Sequence, residues 1–285
     1  MSIAKWYRDF NELIMFQHSV FSLPFIFIAM LVSADGWFGW RLLLLGVLAA
    51  VSARNFAMLV NRYLDRDIDA LNPRTKGRPS VDGRFSAPQM RLLIVINALV
   101  FVATAYFINW LAFALSFPIL AILGGYSWFK RFSPMAHLVL GLSLGLAPIA
   151  GVVAVEAAIP IWSLMLAVGV MFWVAGFDLL YSLQDMEFDK EAGLFSIPSR
   201  FGSDCTMLLA RIFHALAVLF WAFFTAEAGL GFFAWAAVAV AAAMLAYEHK
   251  LVSADFTKID RAFFTVNGYL GFIYLFFIIV DRGIS

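Results

Sequence analysis

Long uninterrupted apolar runs constrain the fold of this chain more than any other feature of its sequence. A helix needs about 20 residues to cross a bilayer core of roughly 30 Å, and backbone groups in lipid must bond within their own segment. Such runs lie near residues 13–33, 38–60, 90–109, 111–129, 135–155, 160–183, 205–226, 230–247 and 262–281. We therefore expect an all-α integral membrane protein, with residues 1–285 forming one domain of about nine transmembrane helices around a central cavity.

Composition agrees with a membrane setting and excludes several functions. Hydrophobic residues make up 63% of the chain and charged residues 14%, unlike an ordinary soluble domain. A net charge of +1 gives no basis for nucleic-acid binding. The single cysteine, Cys205, excludes an internal disulfide and a cysteine metal cage. The N-terminal residues predict no targeting segment, and the scattered histidines (18, 137, 214 and 249) are interpreted as helix or interface residues rather than ligands.

The placement of Lys and Arg predicts the orientation, because these residues accumulate in cytoplasmic loops. With the N-terminus in the cytoplasm, the opposite loops keep only Arg41 and Arg282. The cytoplasmic set is Lys5, Arg8, Arg62, Arg66, Arg74, Lys76, Arg78, Arg84, Arg91, Lys130, Arg131, Lys190, Arg200, Lys250, Lys258 and Arg261. We therefore expect the N-terminus and the long polar loops to be cytoplasmic.

Two acidic motifs lie at the cytoplasmic ends of predicted helices: Asn61-x-x-x-Asp65-x-x-x-Asp69 and Asp185-x-x-x-Asp189. Residues four apart project from one face of a helix, so each motif forms an oxygen-rich stripe. Such ligands suit Mg²⁺, which bridges one or two carboxylates to substrate phosphates. The four aspartates are therefore predicted to be metal ligands and catalytic residues that bind a diphosphate.

Other acids in these segments have a simpler interpretation. Asp67, Glu187 and Glu191 point away from the stripes and are expected to be solvated helix ends. The two motifs also repeat loosely, since each closes an even-numbered predicted helix and opens a long cytoplasmic loop. This quasi-symmetry suggests two equivalent stripes around one cavity.

The flanks of the motifs carry a family resemblance. The first motif is followed by Asn72-Pro-Arg-Thr75 and Gly77-Arg-Pro79, and the fourth predicted helix ends in Tyr126-Ser-Trp-Phe-Lys130-Arg131. With these motifs the chain resembles the UbiA superfamily of intramembrane aromatic prenyltransferases. The stretches His18–Phe25 and Ala262–Gly268 look like its 4-hydroxybenzoate polyprenyltransferase branch. That branch also holds proteins suspected of serving menaquinone synthesis by the futalosine route.

The resemblance implies a Mg²⁺-dependent transfer of a polyprenyl group from polyprenyl diphosphate to an aromatic acid. This step belongs to ubiquinone or menaquinone biosynthesis in the prokaryotic cytoplasmic (inner) membrane. It also implies that Asn61, Arg74, Arg78 and Lys130 bind the diphosphate or its metal. Tyr126 and Tyr181 each precede a polar motif residue by four positions, and each ring is expected to contact phosphate or shield the carbocation.

Arg54 is a lone charge in an apolar stretch, seven residues before Asn61 and deeper on the same helix face. A buried guanidinium needs an anionic partner, and its planar fork matches a carboxylate. We expect Arg54 to bind the carboxylate of a benzoate-type acceptor, as the resemblance also suggests. The alternative is an internal ion pair with Asp178 or another acid.

Three questions stay open at the level of sequence. The acceptor can be 4-hydroxybenzoate, a naphthoate or a futalosine-pathway intermediate, because the loop after Pro79 reads Ser-Val-Asp-Gly-Arg where the family commonly has Leu-Pro-x-Gly. No general base is identified. A transporter or a phospholipid-type transferase is the alternative class, although transporter sites usually lie near the bilayer midplane.

Overall fold

A computed structural model describes residues 2–15, 21–254, 259 and 262–284, and all regular secondary structure in these residues is helical. The α-helices are α1 Ile3–Ile14, α2 Leu23–Ser33, α3 Trp40–Leu64, α4 Arg66–Leu71, α5 Ala87–Ile108, α6 Trp110–Gly125, α7 Ala136–Glu156, α8 Ile161–Ser182, α9 Met186–Glu191, α10 Ile197–Glu227, α11 Phe232–Ala254 and α12 Asn267–Ile284. Short 3₁₀ segments, Tyr126–Arg131 and Leu183–Asp185, follow α6 and α8, and a π-helical turn precedes α12.

Within the described residues, eight helical segments are long and apolar enough to cross a membrane. They are Trp40–Leu64, Ala87–Ile108, Trp110–Arg131, Ala136–Glu156, Ile161–Glu191, Ile197–Glu227, Phe232–Ser253 and Phe264–Gly283. The shorter apolar helix α2 corresponds to the end of the first predicted run, 13–33. Residues 16–20 of that run lie outside the described residues, and so do Lys258 and Arg261. The predicted all-helical membrane protein with about nine spans is confirmed.

The first predicted run, 13–33, is divided in the structure. Helix α1 ends at Ile14, and Met15 adopts a left-handed backbone conformation (φ 48°, ψ 58°) that a continuing α-helix excludes. Ser2 caps the start of α1 by accepting a hydrogen bond from the Lys5 backbone N–H. The polar α1 is therefore separate from the apolar α2.

Capping boxes begin the two helices that follow the motif loops. Ser86 and Gln89 cap α5, and Ser196 and Ser199 cap α10, each with a proline in the first helical turn. Helix α10 therefore begins at Ile197 rather than near residue 205, and it kinks at Gly202, whose φ of 81° suits glycine. These caps fix the point at which each motif loop ends and the next helix begins.

Small residues let α8 pack closely between α7 and α10. A Cβ added at Gly141 of α7 would lie 2.3 Å from the Met171 carbonyl oxygen of α8, and one at Gly145 would lie 2.8 Å from that of Ala167. On the other side of α8, a Cβ at Gly176 would lie 2.3 Å from the His214 ring of α10. Such close approach is typical of membrane helix interfaces.

The two halves of the helical bundle differ in packing. Helices α8, α10, α11 and α12 share a dense aromatic core that includes Trp173, Trp221 and Tyr274. Helices α2, α3, α5, α6 and α7 instead line an apolar cavity with an empty volume of about 1150 Å³, counted out to its open mouth. Helices α5 and α6 are the least buried of the spanning helices, so they separate this cavity from the surrounding lipid.

Candidate active site

Both acidic motifs lie at breaks between helices. Asp65 joins α3 to α4 with φ −90° and ψ 5°, and Asp185 joins the 3₁₀ segment after α8 to α9 with φ −101° and ψ 4°. Both conformations fall in the bridge region, outside the ideal helix. The sequence predicts continuous stripes, whereas the structure turns each motif at the corresponding aspartate.

The first motif is buried and paired with basic side chains. Lys130 Nζ lies 2.6 Å from Asp65 Oδ2, and Arg78 Nη1 lies 2.7 Å from Asp69 Oδ1. Asn61 Nδ2 donates a hydrogen bond to Asp65 Oδ2 at 2.8 Å. Asp65 is 2% exposed and Asp69 4%. The predicted site residues of this motif therefore form one connected cluster.

The loop after the first motif reaches across to the second motif. Arg74 donates two hydrogen bonds to the Asp185 carboxylate, one of them from Nε to Oδ1 at 3.0 Å. It also donates from Nη1 to the Tyr181 hydroxyl at 3.2 Å. Asn72 Nδ2 donates to Asp185 Oδ1 at 3.1 Å. These bonds keep the pKa of Arg74 above its usual value, although burial alone would lower it.

Lys130 lies between the two motifs. The backbone N–H of Phe195, in the loop after the second motif, donates to the Lys130 carbonyl at 2.8 Å. Asp189 is hydrogen-bonded to Ser196, and the positive charge of Lys130 favours the ionised form of its carboxylate. The structure thus brings the predicted basic and acidic residues of both motifs together on one side of the bundle.

The first motif offers free ligand atoms to a metal ion. Asp65 Oδ1 and Asp69 Oδ2 are buried and accept no hydrogen bond from any described residue, although Arg62 Nη1 is 3.9 Å from the latter. Burial raises the pKa of Asp65, so a nearby cation is needed to favour its ionised form, and Lys130 acts in that sense. Among the described residues, no three acidic, His or Cys side chains form a metal cluster. One or two carboxylates with waters and phosphates suffice for Mg²⁺.

The acids interpreted as solvated helix ends are exposed. Asp67 pairs with Arg131 at 2.7 Å, with 64% of the Asp67 side chain exposed. Glu187 and Glu191 are exposed as well. Asp67 therefore provides an exposed control position for substitutions of the buried Asp65 and Asp69.

Arg54 and Tyr126 are polar residues in the lining of the apolar cavity. Arg54 Nε is buried and has no hydrogen-bond partner in the part of the chain that the structure describes. The alternative ion pair with Asp178 is not formed, because Asp178 Oδ2 lies 2.7 Å from His137 Nδ1. Within the described part of the chain, no salt bridge joins Arg54 to a carboxylate.

Sequence reasoning missed three residues that hold the site together. Asn72 bonds Asp185, Ser127 accepts a hydrogen bond from Asn61 at 3.1 Å, and the buried Arg62 donates to the Leu13 carbonyl at 3.3 Å. The sequence identifies Arg62 only as one of the basic residues that indicate the cytoplasmic side. An arginine next to Asn61 in the motif was the one available signal.

These features define a class of protein. Paired acidic and basic side chains stand together at one end of a membrane-embedded bundle that also encloses an apolar cavity, an arrangement suited to an enzyme that handles a charged group on a lipid-soluble substrate. The model of the UbiA prenyltransferase family matches residues 22–277, so the chain belongs to that family and is a prenyltransferase.

Known relatives agree with this assignment. A 4-hydroxybenzoate octaprenyltransferase of Paracidovorax citrulli is 31% identical over 248 residues, which cover 86% of this chain and 82% of the relative. The apo structure of a UbiA homolog from Aeropyrum pernix K1 has a TM-score of 0.84 at 32% identity and covers 93% and 98% of the two chains. A UbiA homolog from Archaeoglobus fulgidus bound to DMAPP and Mg²⁺ shares the fold, with a TM-score of 0.79, 21% identity, and 97% and 100% coverage.

Proposed function

We propose that the chain transfers a polyprenyl group from a polyprenyl diphosphate to an aromatic acid resembling 4-hydroxybenzoate, with Mg²⁺, in ubiquinone or menaquinone synthesis. The observation that carries the proposal is the acidic and basic cluster around Lys130, in a bundle whose apolar cavity is lined in part by Arg54, a residue that forms no salt bridge with a carboxylate among the described residues. The octaprenyltransferase relative and the homolog bound to DMAPP and Mg²⁺ support it.

The diphosphate fits the basic members of the cluster. Arg74, Arg78 and Lys130 each form an ion pair with an aspartate. When a diphosphate enters, these three side chains exchange their carboxylate partners for phosphate oxygens, a charge-assisted contact of similar geometry. The carboxylates of Asp65, Asp69 and Asp185, freed from these cations, together with Asp189 and the Asn61 amide, would hold Mg²⁺. When bound, Mg²⁺ neutralises the negative charge that develops on the leaving diphosphate.

The allylic C–O bond breaks at this cluster, and the resulting cationic carbon needs a dry environment. The apolar cavity walls exclude water and accept the isoprenoid tail. Tyr126 in the cavity lining and Tyr181 beside Arg74 present aromatic faces or hydroxyls near the expected position of the reacting carbon. Aromatic faces stabilise a cation, and this is the role proposed for both rings.

Arg54 is proposed to bind the acceptor carboxylate. Its guanidinium matches a carboxylate, and its Nε has no hydrogen-bond partner among the described residues. A benzoate-type acid satisfies this group while its ring lies among apolar neighbours. A naphthoate or a futalosine-pathway acid carries the same carboxylate and is the alternative acceptor.

The expected location follows from the charges. The basic loops that contain Arg74, Arg78 and Lys130 favour the cytoplasmic side. We place the protein in the prokaryotic cytoplasmic membrane, with its N-terminus and active-site loops in the cytoplasm.

A membrane assay tests the function. Membranes that contain the protein are incubated with radiolabelled prenyl diphosphate, Mg²⁺ and a panel of aromatic acids, and the prenylated product is counted. Asp65→Ala and Asp185→Ala should each lower product formation by about 100-fold or more, comparable to the loss of one transition-state contact. The matched control Asp67→Ala should stay within about twofold of wild type, because Asp67 is exposed. Metal-independent product, or full activity in the two motif variants, contradicts the proposal.

A further inference from the structure

Arg84 joins the N-terminal helix α1 to the loop that follows the first motif. Its guanidinium donates to both carboxylate oxygens of Glu12 in α1, from Nη1 at 2.5 Å and from Nη2 at 2.8 Å. Nη1 also donates to Oδ1 of the buried Asp9 at 3.3 Å, and Nε donates to Asp82 Oδ2 at 2.7 Å. Nη2 donates in addition to the Gly77 carbonyl oxygen at 3.0 Å. One side chain therefore connects two carboxylates of α1 to two positions of the loop.

These hydrogen bonds occupy the whole guanidinium of Arg84. An arginine side chain has five N–H donors in a fixed fork, and the five hydrogen bonds described above use all of them. Isolated surface ion pairs contribute little, whereas a bidentate arginine within a network of several charges holds a defined geometry. Arg84 is of the second kind, with 27% of its side chain exposed and the carboxylates of Asp9, Glu12 and Asp82 around it. Its geometry therefore suits it to fix other residues rather than to bind a substrate.

Both loop contacts of Arg84 adjoin Arg78, which the proposed function assigns to the diphosphate. Gly77 directly precedes Arg78 in the chain. The backbone N–H of Asp82 donates to the Arg78 carbonyl oxygen at 3.0 Å. The Arg78 guanidinium in turn lies 2.7 Å from Asp69 Oδ1 in the first motif. Arg84 therefore fixes the backbone on both sides of a residue in the proposed diphosphate site.

Helix α1 is itself fixed to the first motif. Leu13 is fully buried in an apolar cluster that includes Met58 of α3. The Leu13 carbonyl oxygen accepts a hydrogen bond from Arg62 Nε at 3.3 Å, and Arg62 Nη1 lies 3.9 Å from Asp69 Oδ2. Helix α1 thus supports Asp69 through Arg62, and it supports the cation paired with Asp69 through Arg84.

We infer that Arg84 is a positioning residue for the diphosphate, because it ties the loop to α1 and so holds the Arg78 backbone in place before substrate arrives. This inference rests on the proposed function. When Arg78 exchanges Asp69 for a phosphate oxygen, only its side chain has to move, while Gly77 and Asp82 stay fixed. A preordered loop loses less conformational freedom on binding, so the diphosphate binds more tightly. Removing Arg84 should therefore weaken diphosphate binding and leave the acceptor unaffected.

The test measures the dissociation constant of a prenyl thiolodiphosphate, an analogue that ionises slowly, by calorimetry with Mg²⁺ and the full chain in nanodiscs. Arg84→Gln should raise this constant by about 10-fold, the scale of one charged hydrogen bond. The KM for the aromatic acceptor should stay within about twofold of the wild-type value. In an Arg78→Gln background, Arg84→Gln should have almost no further effect on the dissociation constant, because Arg84 acts through Arg78.

A purely structural role for Arg84 makes a different prediction. Loss of folded protein lowers the number of binding sites per chain, but it does not change the dissociation constant of the sites that remain. The cost of Arg84→Gln would then also be the same whether Arg78 is present or replaced, since independent substitutions act additively.

Arg91→Gln is the matched control, because it removes the same charge from an exposed position of α5. Its dissociation constant for the analogue should stay within about twofold of the wild-type value. Glu12→Gln breaks the bidentate pair from the side of α1 and should raise the constant several-fold. Because 49% of the Glu12 side chain is exposed, this variant decides the matter by the same criteria if Arg84→Gln does not fold.

Three results overturn the inference: unchanged binding in Arg84→Gln, an equal rise of the dissociation constant in Arg91→Gln, or additive effects of Arg84→Gln and Arg78→Gln. A wild-type protein that binds no prenyl thiolodiphosphate, or that prenylates no aromatic acid, overturns the proposed function instead.

Discussion

Two neighbouring cations, Lys130 and Arg131, bind carboxylates of opposite burial. Lys130 pairs with the buried Asp65, whereas Arg131 pairs with the exposed Asp67. A surface pair contributes little to stability, but removing one partner of a buried pair leaves an uncompensated charge. The same difference in burial should decide which of the two cations matters for substrate binding.

We expect Lys130→Met to lower kcat/KM for prenyl diphosphate by about 10- to 100-fold, the scale of one charge-assisted hydrogen bond. Arg131→Met removes the same charge one residue away, and its kcat/KM for prenyl diphosphate should stay within about twofold of the wild-type value. Steady-state kinetics in proteoliposomes measures both. A similar loss in the two variants would show that only the net positive charge of this segment matters.

Arg54→Ala separates the two substrates. Loss of a charged hydrogen-bond partner should raise the acceptor KM by about 10- to 100-fold, while the KM for prenyl diphosphate changes by about twofold or less. Arg54→Lys keeps the charge without the planar fork and should recover only part of the loss. The opposite pattern, in which the KM for prenyl diphosphate rises more, rejects the assignment of Arg54 to the acceptor.

The sequence predicts the site residues that follow a local rule. The four-residue spacing identifies Asp65, Asp69, Asp185 and Asp189, and proximity along the chain identifies Arg74. Partners formed by tertiary packing have no such rule. Asn72 reaches Asp185 across 113 residues, and His137 reaches Asp178 across 41, so neither pairing could be predicted from periodicity.

At the level of helices, close packing depends on glycine. Gly141→Ala brings a methyl group to 2.3 Å from the Met171 carbonyl oxygen, so α7 and α8 must separate. We expect a loss of about 1–3 kcal/mol of stability, typical of overpacking. Thermal unfolding in detergent measures it. The control Gly268→Ala, with no heavy atom within 4 Å of the added Cβ, should be close to neutral; an unchanged midpoint in Gly141→Ala would show that the interface adapts.

The sequence predicts the helix boundaries well where an apolar run sets them, and less well where capping or backbone conformation sets them. The run 38–60 corresponds to α3, Trp40–Leu64, and 135–155 to α7, Ala136–Glu156. The start of α10 was predicted eight residues late, because its first turns are polar and follow a capping box rather than an apolar run. The left-handed Met15 ended α1 without any glycine or proline to indicate it.

At the level of the whole molecule, the orientation makes a prediction of its own. In a Cys205→Ser background, Lys76→Cys and Ala158→Cys each place one thiol at an exposed position on a different loop. A membrane-impermeant maleimide added to intact spheroplasts should label Ala158→Cys and not Lys76→Cys, whereas lysed cells should label both. The reverse labelling pattern would place the active-site loops outside the cytoplasm.

Helices α5 and α6 line the apolar cavity and are the least buried of the spanning helices, which affects how the reaction rate should depend on the lipid. Only one layer of helices separates the apolar cavity from lipid, so a long isoprenoid substrate has its shortest path through the plane of the membrane. Substrate supply then depends on the mole fraction of prenyl diphosphate among the lipids rather than on its amount per volume of buffer. Adding inert phospholipid at constant total substrate should therefore slow the reaction, the behaviour known as surface dilution.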